Sequence, residues 1–164
     1  MRALNIVKTY LPYDYSRLEN RKATNKIVIH HTGNPTDTDW DAKTINRAHQ
    51  NQKWVCIGYH YVVRKDGSIE EGRPHWVKGS HALNHNWDSI GIHVSGNFEI
   101  AEPTPEQIES LAMLVSAICH DYGLPINEET VVAHRDLMAT ACCGENLYKQ
   151  LDIVRGKALW YQRN

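Results

Sequence analysis

Apolar positions recur along the chain with two different spacings, one for strands and one for helices. KIVIHH, residues 26–31, is a short run rich in β-branched residues and reads as a buried strand. The polar stretch GNPTDTDW that follows is a loop, and DAKTINRAHQNQ then shows helical spacing. IGYHYVVRKDGSIEEGR holds two alternating runs joined at Asp66-Gly67, the strongest short hairpin signal. SIGIHVSGN reads as another strand. TPEQIESLAMLVSAICHDYG is the clearest helix: Thr104 caps it, Pro105 takes the first position and Gln107 completes a capping box. Ile108, Leu111, Val115, Ile118 and Tyr122 line one face of it, and Gly123 stops it. TVVAH predicts a last inner strand and NLYKQLDIVRGKAL a C-terminal helix. Hairpins and strand–helix crossings both occur, so the expected class is α/β, a single domain with a central mixed β-sheet flanked by helices. Residues 1–25 lack such periodicity and are expected to form an irregular leader packed on a domain spanning residues 26–164.

Composition narrows the function classes. A chain of 164 residues makes one domain with a sizeable core. A mean hydropathy of -0.53 describes a soluble globular protein, and no run approaches the ~18 apolar residues of a membrane span. The N-terminal segment has no long apolar stretch and no small-residue cleavage site, so no signal peptide is expected and synthesis in the cytoplasm follows. A net charge of -1 argues against nucleic acid as the main partner, because phosphate binding wants a basic face. The four cysteines are expected as reduced thiols, with Cys56 and Cys119 buried in apolar contexts.

Candidate chemistry gathers around the ten histidines. Two strands end on histidine, at His30-His31 and at His134, and the thiols of Cys142 and Cys143 lie eight and nine residues beyond His134. Zinc favours imidazole nitrogen and thiolate, and a catalytic zinc keeps three protein ligands with one open position. His30, His134 and Cys142 would make such a set. Spacing alone leaves this open, since histidine pairs arise by coincidence in so histidine-rich a chain, and hydrogen-bonded core or edge histidines would explain them equally. A structural zinc ribbon would need a second Cys pair, which the sequence lacks.

Four segments, in order from about residue 26 to residue 148, resemble the zinc amidases that include phage amidase-type lysozymes and animal peptidoglycan recognition proteins. IVIHHTG resembles the family's first-ligand strand, and IGYHYVVRKDGSIEEGRP its hairpin. GSHALNHNWDSIGIHVSGNF and AHRDLMATACCGENLY are similar to its two later motifs. The resemblance implies one zinc per chain bound by His30, His134 and Cys142, with His31 turned to the opposite face of its strand. It implies a catalytic tyrosine at Tyr59. Thr140 matches a position that holds lysine in phage lysozymes and threonine in catalytic recognition proteins. Thr32, Arg73, His81 and Asn86 fall in segments similar to groove-lining, substrate-binding parts of the family. Two positions depart from the family pattern: Cys143 stands where proline usually follows the ligand cysteine, and Pro74-His75 replaces residues that read the stem peptide.

The implied reaction is hydrolysis of the amide between the lactyl group of N-acetylmuramic acid and L-alanine in peptidoglycan. The implied setting is a phage or prophage endolysin or a bacterial amidase, a monomer acting on the cell wall after release or export. The alternative is a recognition module that binds muropeptides without cutting them; such members commonly lose the ligand cysteine, which this chain keeps.

Overall fold

The computed structural model describes residues 4–164. Six strands form one sheet: β1 (Ile6–Val7), β2 (Lys26–His31), β3 (Tyr61–Val63), β4 (Ile69–Glu71), β5 (Ser89–Val94) and β6 (Val131–Ala133). Their spatial order is β1-β4-β3-β5-β2-β6. Among the described strand pairs only β3–β4 is antiparallel, closed by the turn in which Gly67 adopts φ +87° and donates to the Arg64 carbonyl. The sheet is therefore mixed, as the sequence pattern predicts.

Period-two alternation sorts the two faces. Ile27 and Ile29 of β2 and Ile90, Ile92 and Val94 of β5 face the main core. There they meet helix α2 (Pro105–Tyr122), whose Leu111, Ala112, Leu114, Val115 and Ile118 are buried. Each such aliphatic side chain contributes roughly 1.5–3 kcal/mol by leaving water. The expected capping box is present, with Thr104 Oγ1 accepting from Gln107 N–H, and Gly123 closes the helix at φ +64°. The opposite face of the sheet is covered by α1 (Ala42–Asn51), which packs Ala42 and Ile45 on Ile57 and Val62, and by loops around Val28, Ala82 and Val132.

Two expectations are corrected. The leader is not wholly irregular: Ile6 and Val7 pair in parallel with Ile69 and Glu70, and Asn20 bridges to Val77, because the outer edge of β4 offers unpaired backbone groups. The C-terminal helix is two helices, α3 (Glu145–Tyr148) and α4 (Leu151–Arg163). Tyr148 O–H donates to Asp136 Oδ1 at 2.7 Å, and Leu147 and Leu151 both turn into the core, so the chain bends between them. No helix among the described residues is long and apolar enough to cross a membrane.

Candidate metal centre

β2, β5 and β6 run parallel, so their carboxyl ends share one edge of the sheet, the usual place for a site in such folds. His30 lies near the end of β2, and His134 follows β6 directly, opening a short 3-10 turn. Cys142 is on the next loop, and Arg135 N–H donates to the Cys142 carbonyl at 2.7 Å, tying the two segments together. Asp136 fixes the turn: its carboxylate accepts from Ala133 N–H at 2.9 Å and from the Tyr148 hydroxyl.

These constraints bring one ligand atom each of His30, His134 and Cys142 within 4.8 Å of one another. His30 Nδ1 lies 3.6 Å from Cys142 Sγ, which is the edge length a tetrahedral site with zinc–nitrogen and zinc–sulfur bonds of about 2.0–2.3 Å requires. Burial, and then the neighbouring His81 and His134, hold His30 well below its ordinary pKa, so its imidazole is neutral and its lone pair free. Burial lowers His134 too and pushes the Cys142 thiol up to about 12. The His31 backbone N–H points at Cys142 Sγ from 3.4 Å, ready to support a thiolate once a cation draws off the proton. Two neutral imidazoles and a buried thiol with a donor behind it fit a soft divalent cation.

The two adjacent histidines separate as the alternation of the strand demands. His31 points to the core face, where Nδ1 accepts from Phe98 N–H at 3.1 Å. The adjacent cysteines separate as well: Cys143 is fully buried in the main core.

Tyr59 precedes β3, and its ring sits 5.0 Å from that of His30 and 4.9 Å from that of His93. Burial, with the Cys142 sulfur nearby, raises its pKa, so the hydroxyl stays protonated, and it meets no partner among the described residues. Thr140 Oγ1 accepts from Cys142 N–H at 3.3 Å, which leaves its own proton free to donate.

The remaining four expected residues are engaged within the chain. Thr32 Oγ1 accepts from Gly96 N–H and pairs with His93 Nε2 at 3.0 Å. Arg73 is only 8% exposed, and its guanidinium donates to the carbonyls of Ile57 and Lys78. Asn86 Oδ1 accepts from the backbone N–H groups of His81 and Ala82. His81 Nδ1 lies 2.9 Å from His30 Nε2. Sequence reasoning missed His93, Ser89 and Asp136. The first two alternate with Ile90 and Ile92 along SIGIHV, so the period of that strand sets them opposite its apolar face; the pairing with β2 then puts them beside His30.

The chain is similar to several known proteins. The N-acetylmuramoyl-L-alanine amidase family model matches residues 20–145. The endolysin of Escherichia phage T7 is 28% identical over 154 residues, covering 90% of this chain and 92% of its own. A peptidoglycan-recognition protein of Drosophila melanogaster is 32% identical over 130 residues, covering 76% of this chain and 71% of its own. Among solved structures, N-acetylmuramoyl-L-alanine amidase LysC from Clostridium intestinale URNW superposes with a TM-score of 0.84 at 32% identity, covering 94% of this chain and 97% of that one.

Proposed function

The chain belongs to the N-acetylmuramoyl-L-alanine amidase family, and we propose that it works with one zinc ion held by His30, His134 and Cys142. The reaction is hydrolysis of the amide that joins the lactyl group of N-acetylmuramic acid to L-alanine in peptidoglycan. The observation that carries the metal assignment is the convergence of two imidazoles and one thiol on the carboxyl edge of the sheet.

What zinc supplies at such a site is Lewis acidity, which polarises a carbonyl and brings the pKa of water toward about 7. The chain's own groups do the rest. Tyr59 keeps its proton and meets no partner among the described residues, so its hydroxyl donates to the oxyanion that develops at the scissile carbonyl. Thr140 donates to the same charge while its oxygen holds the Cys142 backbone. Asn86 keeps its side-chain nitrogen unbonded among the described residues and is the group we assign to the sugar–peptide chain. All these residues come from one copy, so a monomer carries a complete site. The setting we assign is that of an endolysin-like enzyme acting on the cell wall.

Digesting purified walls and analysing the products by mass tests this directly. Free L-alanine amino termini should appear, vanish with a chelator and return with zinc. Retention on the wall without new amino termini would instead identify a recognition module.

A further inference from the structure

We infer that His81 is a positioning residue for the metal: its imidazole fixes which nitrogen His30 presents. This rests on the zinc reading above. The relay begins at a backbone carbonyl, which can only accept. Ser89 Oγ sits within hydrogen-bonding distance of the His85 carbonyl oxygen, so the one hydroxyl proton of Ser89 is donated there. Ser89 Oγ can then serve His81 Nε2, 3.3 Å away, only as an acceptor, and His81 carries its proton on Nε2. His81 Nδ1 is therefore a bare lone pair. It accepts from His30 Nε2–H at 2.9 Å. With its ring proton on Nε2, His30 presents Nδ1 as a lone pair, and that is the atom facing Cys142 Sγ. One carbonyl thus sets three proton positions in turn and aims a lone pair at the metal.

The surrounding sequence makes a slot for this ring. Ser89 and Gly91 lie on the His30 face of β5. A Cβ on Gly91 would come within 2.5 Å of His81 Cγ and 2.7 Å of Nδ1, and one on Gly79 within 2.6 Å of His81 Cδ2. Asn86 clamps the His81 backbone from the other side through its Oδ1. Metal-bound histidines commonly donate their second N–H to a carboxylate or a carbonyl. Here an imidazole takes that place: the slot holds its ring, and Ser89 with the His85 carbonyl sets its tautomer. Both ring nitrogens of His81 are engaged in the relay, so its imidazole supports the metal ligand from behind.

The test is a zinc dissociation constant, measured by competition with a chromophoric chelator on the full chain. Four proteins suffice: wild type, His81→Ala, His81→Gln and Ser89→Ala. Wild type should bind one zinc, His81→Ala should bind it about 10- to 100-fold more weakly, and His81→Gln, whose amide oxygen still accepts, should recover part of the loss. Ser89→Ala removes a single oxygen, leaves packing intact and should weaken zinc several-fold by freeing the tautomer of His81. Unchanged zinc affinity in His81→Ala with a raised KM would make His81 a substrate residue and overturn the inference. Equal losses in His81→Gln and His81→Ala would reduce it to packing and overturn it too. Failure of the wild type itself to bind zinc would instead sink the metal assignment beneath it.

Discussion

Strands β2 and β5 carry two different chemistries on their two faces. Toward α2 they show Ile27, Ile29, Ile90, Ile92 and Val94, hydrocarbon packed on hydrocarbon. On the other side the same strands show His30, Ser89, Gly91 and His93, with Tyr59 and His81 leaning over them. Both faces are buried, so burial does not tell them apart. The apolar face gains by leaving water and tolerates exchange among similar volumes. The histidine face holds polar groups that must each find a partner, through His30–His81, His81–Ser89 and Thr32–His93. His93 Nδ1 lacks one among the described residues. One face holds the fold together and the other holds a site in shape. Substitutions should therefore separate stability from function according to the side of the sheet they strike.

The sharpest break falls between neighbours. Cys142→Ser should empty most of the metal at neutral pH and take activity to background, whereas Cys143→Ala, on the core side, should cost only about 1 kcal/mol of stability and keep the metal. Metal analysis and denaturant unfolding of the pair would check this; metal loss in Cys143→Ala alone would reverse the assignment. Next comes the apolar face: Ile92→Ala should lower unfolding free energy by about 2–5 kcal/mol while leaving zinc affinity and turnover close to wild type below its melting point. Tyr59→Phe should do the opposite, reducing kcat by about 10²–10³ with little change in unfolding. A Tyr59→Phe enzyme with bound zinc and full turnover would return Tyr59 to a packing role.

Per pH unit, the smallest effect is on pH dependence. Burial, opposed by the hydrogen bond to the Val77 carbonyl, lowers His60 to about 3, and burial lowers His93 to about 3 and His49 to about 4. Each is depressed below the ordinary value near 6.5, so the unfolded chain takes up protons first as pH falls. The contribution of these groups is complete above about pH 6.5 and is lost progressively toward pH 3–4. Unfolding free energy should decline over that window, and His60→Gln should make the decline shallower by up to about 1.4 kcal/mol per pH unit. An unchanged slope in that variant would show that His60 titrates alike in both states.

How much of this the sequence disclosed depended on how local each cause was. Helix α2 was legible because Thr104, Gln107 and Gly123 act within a turn of their own positions. The hairpin was legible because Asp66-Gly67 suits its turn by itself. Strand β1 was not, since two residues in a polar leader become a strand only by pairing with the distant β4. The bend between α3 and α4 was hidden for the same reason: the Tyr148–Asp136 bond that accompanies it joins residues from different elements. At the site, residue types and spacing left the histidines open to two readings, and the resemblance to a known family singled out His30, His134 and Cys142. The relay behind His30 was out of reach, because Ser89, His81 and His30 meet only after the sheet has formed.

Zinc-edge X-ray absorption on the reconstituted chain tests the central claim most directly. Coordination by His30, His134 and Cys142 predicts a shell with one sulfur at about 2.3 Å and nitrogen or oxygen at about 2.0–2.1 Å, changing to a sulfur-free shell or no zinc in Cys142→Ser. A wild-type shell with no sulfur, or with two, would contradict it.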